Sequence, residues 1–231
     1  MGWLDKYGWG RKLSRATRLF FFKHDALRSA KLAGDAKTVD RLYDYFAPVY
    51  DFLFPHVESY GDTAQHIVNN LIESGDRVLD LGAGTGILTV MMAPKAASVV
   101  ACDLNRAMIE RARKKSIKRG VAAKISYNQG NATELPFRDG SFTVVTSAFM
   151  EVYLTVEEKT EMLREIHRVL APGGRVIFMT GNGEVSGRYI KRWQWEQIFG
   201  NTSYGNVEFT DLYDVFRVIS AKRAERPLLP A

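Results

Sequence analysis

The chain has almost no cysteine: Cys102 stands alone among 231 residues, so no disulfide can form within the chain. Such usage suits a reducing compartment. Histidine is scarce as well, with only His24, His56, His66 and His167. No His or Cys pair stands at metal-ligand spacing, and no obvious carboxylate cluster would hold magnesium, so metal-assisted chemistry is disfavoured. No apolar run approaches the roughly 20 residues of a membrane-spanning helix, and the start lacks the apolar region and cleavage site of a signal peptide. The expectation is a cytoplasmic protein, soluble or peripheral at the inner membrane face. No internal repeat, low-complexity tract or linker interrupts the chain. At 46% hydrophobic and 25% charged residues, it has the content for one sizeable α/β core.

What is present centres on Val78-Leu79-Asp80-Leu81-Gly82-Ala83-Gly84-Thr85-Gly86-Ile87-Leu88. The apolar run suits a buried parallel strand, and Ile87 to Ala97 suits a helix packing back on it. Three glycines then fall at the strand-to-helix turn, where residues without a Cβ let a ligand approach the main chain. A dinucleotide fingerprint would require glycine at residue 87, which is Ile. Asp80 at the mouth of the loop would also repel a pyrophosphate, whereas it suits the ammonium-bearing end of S-adenosylmethionine.

Downstream residues support a nucleoside-type ligand. Ser98 to Cys102 is a second apolar strand ending at Asp103, twenty-one residues after Gly82, where a carboxylate can accept from both ribose hydroxyls. Asn105 is placed to N-cap the next helix, whose outer face is basic through Arg111, Arg113, Lys114 and Lys115. Strands are expected over Lys124 to Asn128, Ser141 to Ser147 and Arg175 to Met179, with a helix from Glu157 to Leu170.

From about Tyr43 to Thr180 the chain resembles the class I S-adenosylmethionine-dependent methyltransferases, on VLDLGAGTG, ACDLNRAMIERAR, GNATELPFRDGSFTVV and REIHRVLAPGGRVIF in family order. The resemblance implies an α/β fold, a Rossmann-like seven-stranded mostly parallel sheet with helices on both faces. The methyltransferase domain would span 43–231, behind a helical extension over 1–42. S-adenosylmethionine would lie with its methionine moiety against Asp80, Gly82, Ala83, Gly84 and Gly86, its ribose on Asp103, and its adenine between Leu104 and Met108. Asn131 and Ala132 would meet the adenine edge, and Ser147 would complete the set. Many relatives carry Asp at position 131; the Asn carbonyl can still accept from an exocyclic amine.

Residues 1–40 hold nine Lys or Arg against four Asp, a surplus of five out of the chain's net +6, together with Trp3, Trp9, Leu13, Phe20 and Leu27. Three uses stay open: an amphipathic helix docking on anionic lipid, a helix covering the domain, and a basic aromatic patch for RNA. The following RLYDYFAPVYD resembles the entrance segment of ubiquinone and menaquinone C-methyltransferases and of bacterial phosphatidylethanolamine N-methyltransferases. By that resemblance Tyr43 and Tyr50 would line the transfer site, the alternative being that they pack in a helix-loop cap; His56, the one histidine near that segment in sequence, is the candidate catalytic base. Tyr189, Trp193 and Trp195, on an expected helix from Glu184 to Phe199, bear either on acceptor choice or on the core. Strand-like stretches over Asn206 to Thr210 and Val215 to Lys222 would complete the sheet.

A sulfonium methyl is already activated, so transfer needs mainly a nucleophile held in line near it. The chain lacks the Asn/Asp-Pro-Pro-aromatic run that positions an exocyclic base amine, and Cys102 is misplaced for an attacking thiolate. The expected activity is methyl transfer to a lipid-like acceptor, quinol or phospholipid headgroup, at a membrane surface. The alternatives are a soluble small-molecule or RNA methyltransferase and a non-catalytic S-adenosylmethionine-binding protein.

Overall fold

The computed structural model describes residues 58–185 and 189–224. The chain divides between Gly61 and Asp62 into two units. The sheet and its covering helices belong to the second, and the helix that begins at Glu58 runs into it. Tyr43, Tyr50, His56 and the expected 42/43 boundary lie outside the described residues.

Helix α1 (Glu58–Leu71) leads into β1 (Arg77–Leu81), α2 (Ile87–Met92), β2 (Ser98–Asp103), α3 (Arg106–Lys118) and β3 (Ile125–Gln129). Then come β4 (Phe142–Ala148), α4 (Val156–Val169), β5 (Leu170–Gly181), α5 (Arg192–Gly200), β6 (Tyr204–Leu212) and β7 (Phe216–Arg223). The seven strands form one sheet in the order β3-β2-β1-β4-β5-β7-β6. The first five run parallel; β7 pairs antiparallel with both β5 and β6. Val78, Leu79, Val99, Ala101, Val144, Val145 and the whole run Val176 to Met179 are buried, as a parallel sheet covered on both faces requires. Strand order reverses at β1, with β2 on one side and β4 on the other, and in open sheets of this kind ligands bind at that switch point, beyond the carboxyl ends of the strands.

The opposite end of the sheet is fastened by charge. Asp76 is buried just before β1; its carboxylate accepts from Arg175 Nη2 at 2.5 Å on β5 and from Thr143 Oγ1 at 2.8 Å on β4. Arg175 also donates to the Leu71 carbonyl at the end of α1, so one ion pair joins three strands and a helix.

Two helices are shorter than expected. α2 stops at Met92 rather than continuing to Ala97; Pro94 has no N–H to donate to the Val90 carbonyl, and the residues after it close a turn on the Met92 carbonyl. α5 begins at Arg192 instead of residue 184. Asn182 Oδ1 accepts from Glu184 N and forms a turn instead, and Gly183 sits so close to Ile190 that a Cβ would lie 2.2 Å from its carbonyl oxygen. Among the described residues no helix is long and apolar enough to cross a membrane.

Candidate active site

The three glycines of the loop between β1 and α2 are all at positive φ, for different reasons. At Gly82 (φ 67°) a Cβ would fall 2.3 Å from Met150, and at Gly86 (φ 78°) it would fall 2.7 Å from Ala112 Cβ on α3. Those two let other elements close on the loop. Gly84 (φ 54°) faces open space, so its missing side chain leaves main chain accessible to a ligand.

β2 ends against the same loop. Ala83 N donates to the Cys102 carbonyl at 3.0 Å, and Gly84 N donates to Asp103 Oδ2 at 2.8 Å. The other carboxylate oxygen of Asp103 accepts from Asn105 N at 2.9 Å, and Asn105 caps α3 as expected by accepting from Met108 N. A carboxylate here is an acceptor of the kind a ribose hydroxyl requires. Beside it Leu104 is 68% exposed, an apolar platform one residue beyond the carboxylate.

Asp80 is 2% exposed, and its oxygens accept from Thr89 Oγ1 at 2.5 Å and Thr146 Oγ1 at 3.0 Å. Burial pushes its carboxyl up to about 6, against the pull of those two hydroxyls. The residue therefore stands beneath the loop, tying β1 to α2 and β4, rather than at an open mouth. Sequence pattern alone does not single out Thr89 or Thr146. Their signal is the register that places Thr146 opposite Asp80 in neighbouring strands, which only the pairing reveals.

The remaining expected contacts are placed unevenly. Met108 is buried on the inner face of α3, unlike the exposed Leu104. Asn131 is exposed and forms a local turn, its Oδ1 accepting from Thr133 N, while Ala132 is packed in the core. Ser147 is fully buried at the end of β4 with no partner for its hydroxyl. Trp195 is core, stacked on Phe178 at 5.5 Å, whereas Trp193 is exposed. Tyr189 packs against Gly181, leaving no room there for a Cβ. His167 packs edge-on to Tyr204 at 5.7 Å, and burial lowers its affinity for a proton. Cys102 is buried, its thiol pushed up to about 12 by that burial, and is no nucleophile at neutral pH. Among the described residues no group of His, Cys, Asp and Glu is arranged to hold a metal.

Two of the sequence motifs hold each other. Arg168 on α4 donates to the carbonyls of Leu135 and Phe137 and to Asp139, and Glu165 accepts from Leu135 N. The REIHR stretch of α4 thereby fixes the LPFRD loop between β3 and β4.

Residues 78–174 match the family model described as a methyltransferase domain. The ubiquinone/menaquinone biosynthesis C-methyltransferase UbiE of Idiomarina loihiensis is 39% identical over 118 residues, which are 50% of this chain and 46% of that protein. The chain thus spans about half the length of such relatives. Among solved structures, a protein of Methanococcus maripaludis superposes with a TM-score of 0.69 at 18% identity, covering 82% of this chain and 95% of its own. The geranyl diphosphate C-methyltransferase of Streptomyces coelicolor, solved with S-adenosyl-L-homocysteine, superposes with a TM-score of 0.62 at 16% identity, covering 71% and 76%. These two share the fold.

Proposed function

We infer that this chain, whose residues 78–174 match a methyltransferase domain and which resembles the ubiquinone/menaquinone C-methyltransferases, transfers a methyl group from S-adenosylmethionine to a ring carbon of a quinol-type lipid. The observation that carries the cofactor half is the convergence of Gly84, Asp103 and Leu104 at the strand-order switch. There an accessible main chain, a carboxylate at the end of β2 and an exposed apolar face lie close together. The residues fit the group: ribose hydroxyls on Asp103, adenine on Leu104, and the methionine end over Gly82 to Gly86. The buried Asp80 supplies negative charge beneath that end at neutral pH.

The acceptor half rests on the relatives, whose names specify a C-methyltransferase of quinone biosynthesis, and on the YDYFAPVYD segment with Tyr43 and Tyr50. S-adenosylmethionine supplies an activated methyl, so the protein's work is to bind both partners in line and to exclude water. The basic aromatic stretch of residues 1–40 suits work at an anionic membrane surface, where a lipid acceptor resides.

The test is to incubate the full chain with methyl-labelled S-adenosylmethionine and a reduced lipid extract, then partition the products. Label in the organic phase that is lost with Asp103→Ala supports this reading. Label confined to aqueous RNA, protein or small molecules overturns the lipid acceptor.

A further inference from the structure

The turn after β4 contains a feature that cofactor binding does not explain. β4 ends at Ala148, and Phe149 then adopts φ 59°, a region that a bulky residue occupies only under strain. Its ring is held edge-on between Phe216 at 5.7 Å and Tyr189 at 6.2 Å, and its N–H donates to the Met179 carbonyl of β5. The surroundings impose the conformation, and its effect is to aim the next two residues. Met150 is brought over Gly82 of the cofactor loop, and Glu151 is turned inward until 1% of it is exposed.

Neither carboxylate oxygen of Glu151 finds a hydrogen-bond donor in good geometry, and the nearby strand end carries a second orphan, Ser147 Oγ. An unsatisfied buried acid is costly, so a residue serving only packing would be apolar here. The polar groups that favour its charged form are the Thr180 hydroxyl from β5 and the Lys159 ammonium from α4. Burial outweighs both and pushes the carboxyl up to about 7. Strain and a buried acid whose charge is only partly offset thus coincide beside Met150, the side chain that covers the glycine loop.

We propose that Glu151 is a catalytic residue, the proton acceptor for the ring hydroxyl of the methyl acceptor. The inference rests on the quinol reading above. The hydroxyl proton passes to a Glu151 oxygen, and the O–H electron pair is delocalised to the adjacent ring carbon. That carbon forms a bond to the methyl carbon as the methyl–sulfur bond breaks, its pair staying on sulfur to leave a neutral thioether. The hydrogen on the methylated ring carbon leaves to water as a proton, its pair restores the aromatic ring, and the oxygen recovers its proton from Glu151. One proton is released per methyl transferred. An acid titrating near neutrality is present in the accepting form at working pH.

The experiment compares the full chain with Glu151→Gln, which preserves shape. Both are given S-adenosylmethionine and a reduced short-chain quinol with an open ring position, across pH 5.5 to 9, roughly two units either side of neutrality. The wild type is expected to show kcat rising with pH and levelling above neutrality. Glu151→Gln should bind S-adenosylmethionine within twofold of wild type, lose kcat by about 100-fold and lose that pH step. Unchanged kcat and an unchanged profile overturn the role of Glu151 and leave the quinol reading standing. Loss of S-adenosylmethionine binding together with activity makes Glu151 structural and overturns its catalytic role. A wild type that binds S-adenosylmethionine but methylates no quinol overturns the quinol reading, and this inference falls with it.

Discussion

Asp103 accepts a hydrogen bond from the backbone N–H of Gly84 at 2.8 Å, so the carboxylate expected to hold the ribose also fixes the glycine loop. On the proposed reading, one side chain would serve both halves of the cofactor site. Asp103→Ala should therefore weaken S-adenosylmethionine by more than a lost ribose contact, by at least about 2 kcal/mol, since charged hydrogen bonds contribute about 1.5–3 kcal/mol each. Titration calorimetry reads the affinity, and a melting temperature within a few degrees of wild type would show that the fold survives.

Gly84→Ala and Gly86→Ala separate ligand access from packing. Both residues have positive φ, costing an L-residue about 1 kcal/mol. Gly84 faces open space, so Gly84→Ala should melt near wild type yet lose cofactor affinity by tenfold or more, or about 1.4 kcal/mol. Gly86→Ala drives a methyl into Ala112 and should lower stability by a further 1–3 kcal/mol, about the cost of overpacking. Adding Ala112→Gly should recover the packing part only, which thermal melts of the double variant would show.

Glu151 should make stability fall with pH. Its carboxyl is raised from 4.5 to about 7 on folding, so between those values the native state holds the proton more tightly than the unfolded chain. Stability contributed by the neutral acid is intact below pH 4.5 and is lost progressively up to about pH 7, by about 3 kcal/mol in all. Asp80, raised from 3.8 to about 6, adds a loss of the same sign over a lower window. Denaturation of Glu151→Gln should lack the upper part of this decline and should match or exceed wild-type stability at pH 8, about one unit past the titration.

Asp76 and Arg175 bear on stability alone. Asp76→Ala strands the half-buried guanidinium and unfastens β1 from β4 and β5 at the end of the sheet away from the glycine loop. The expected cost is about 3–5 kcal/mol, with cofactor affinity per folded molecule unchanged. Denaturant melts alongside calorimetry distinguish the two.

The central parallel strands β1, β2, β4 and β5 are legible because strands buried on both faces read as apolar runs, and all seven strands overlap their expected places, β5 beginning five residues early at Leu170. The glycine loop and Asp103 were legible from spacing, and the Asn105 cap from a polar residue before a helical pattern. What the sequence concealed depends on contacts between distant elements. The Thr89 and Thr146 hydroxyls meet Asp80 only once β1, α2 and β4 assemble. Nothing local distinguishes buried Trp195 from exposed Trp193, since which face of α5 meets Phe178 is a tertiary matter. Glu151 left a trace, a single acid in the otherwise apolar run AFMEVYL, but its inward direction follows from the left-handed Phe149, which no propensity forecasts.

The most direct test gives the wild-type chain S-adenosylmethionine and a reduced quinol bearing an unsubstituted ring carbon, and reads the products by mass spectrometry. The expected product is a quinol heavier by one methylene, with the new methyl on carbon, and an equal amount of S-adenosylhomocysteine. Tight S-adenosylmethionine binding with no methylated quinol, or a methyl found on oxygen or nitrogen, would contradict methyl transfer to a quinol ring carbon.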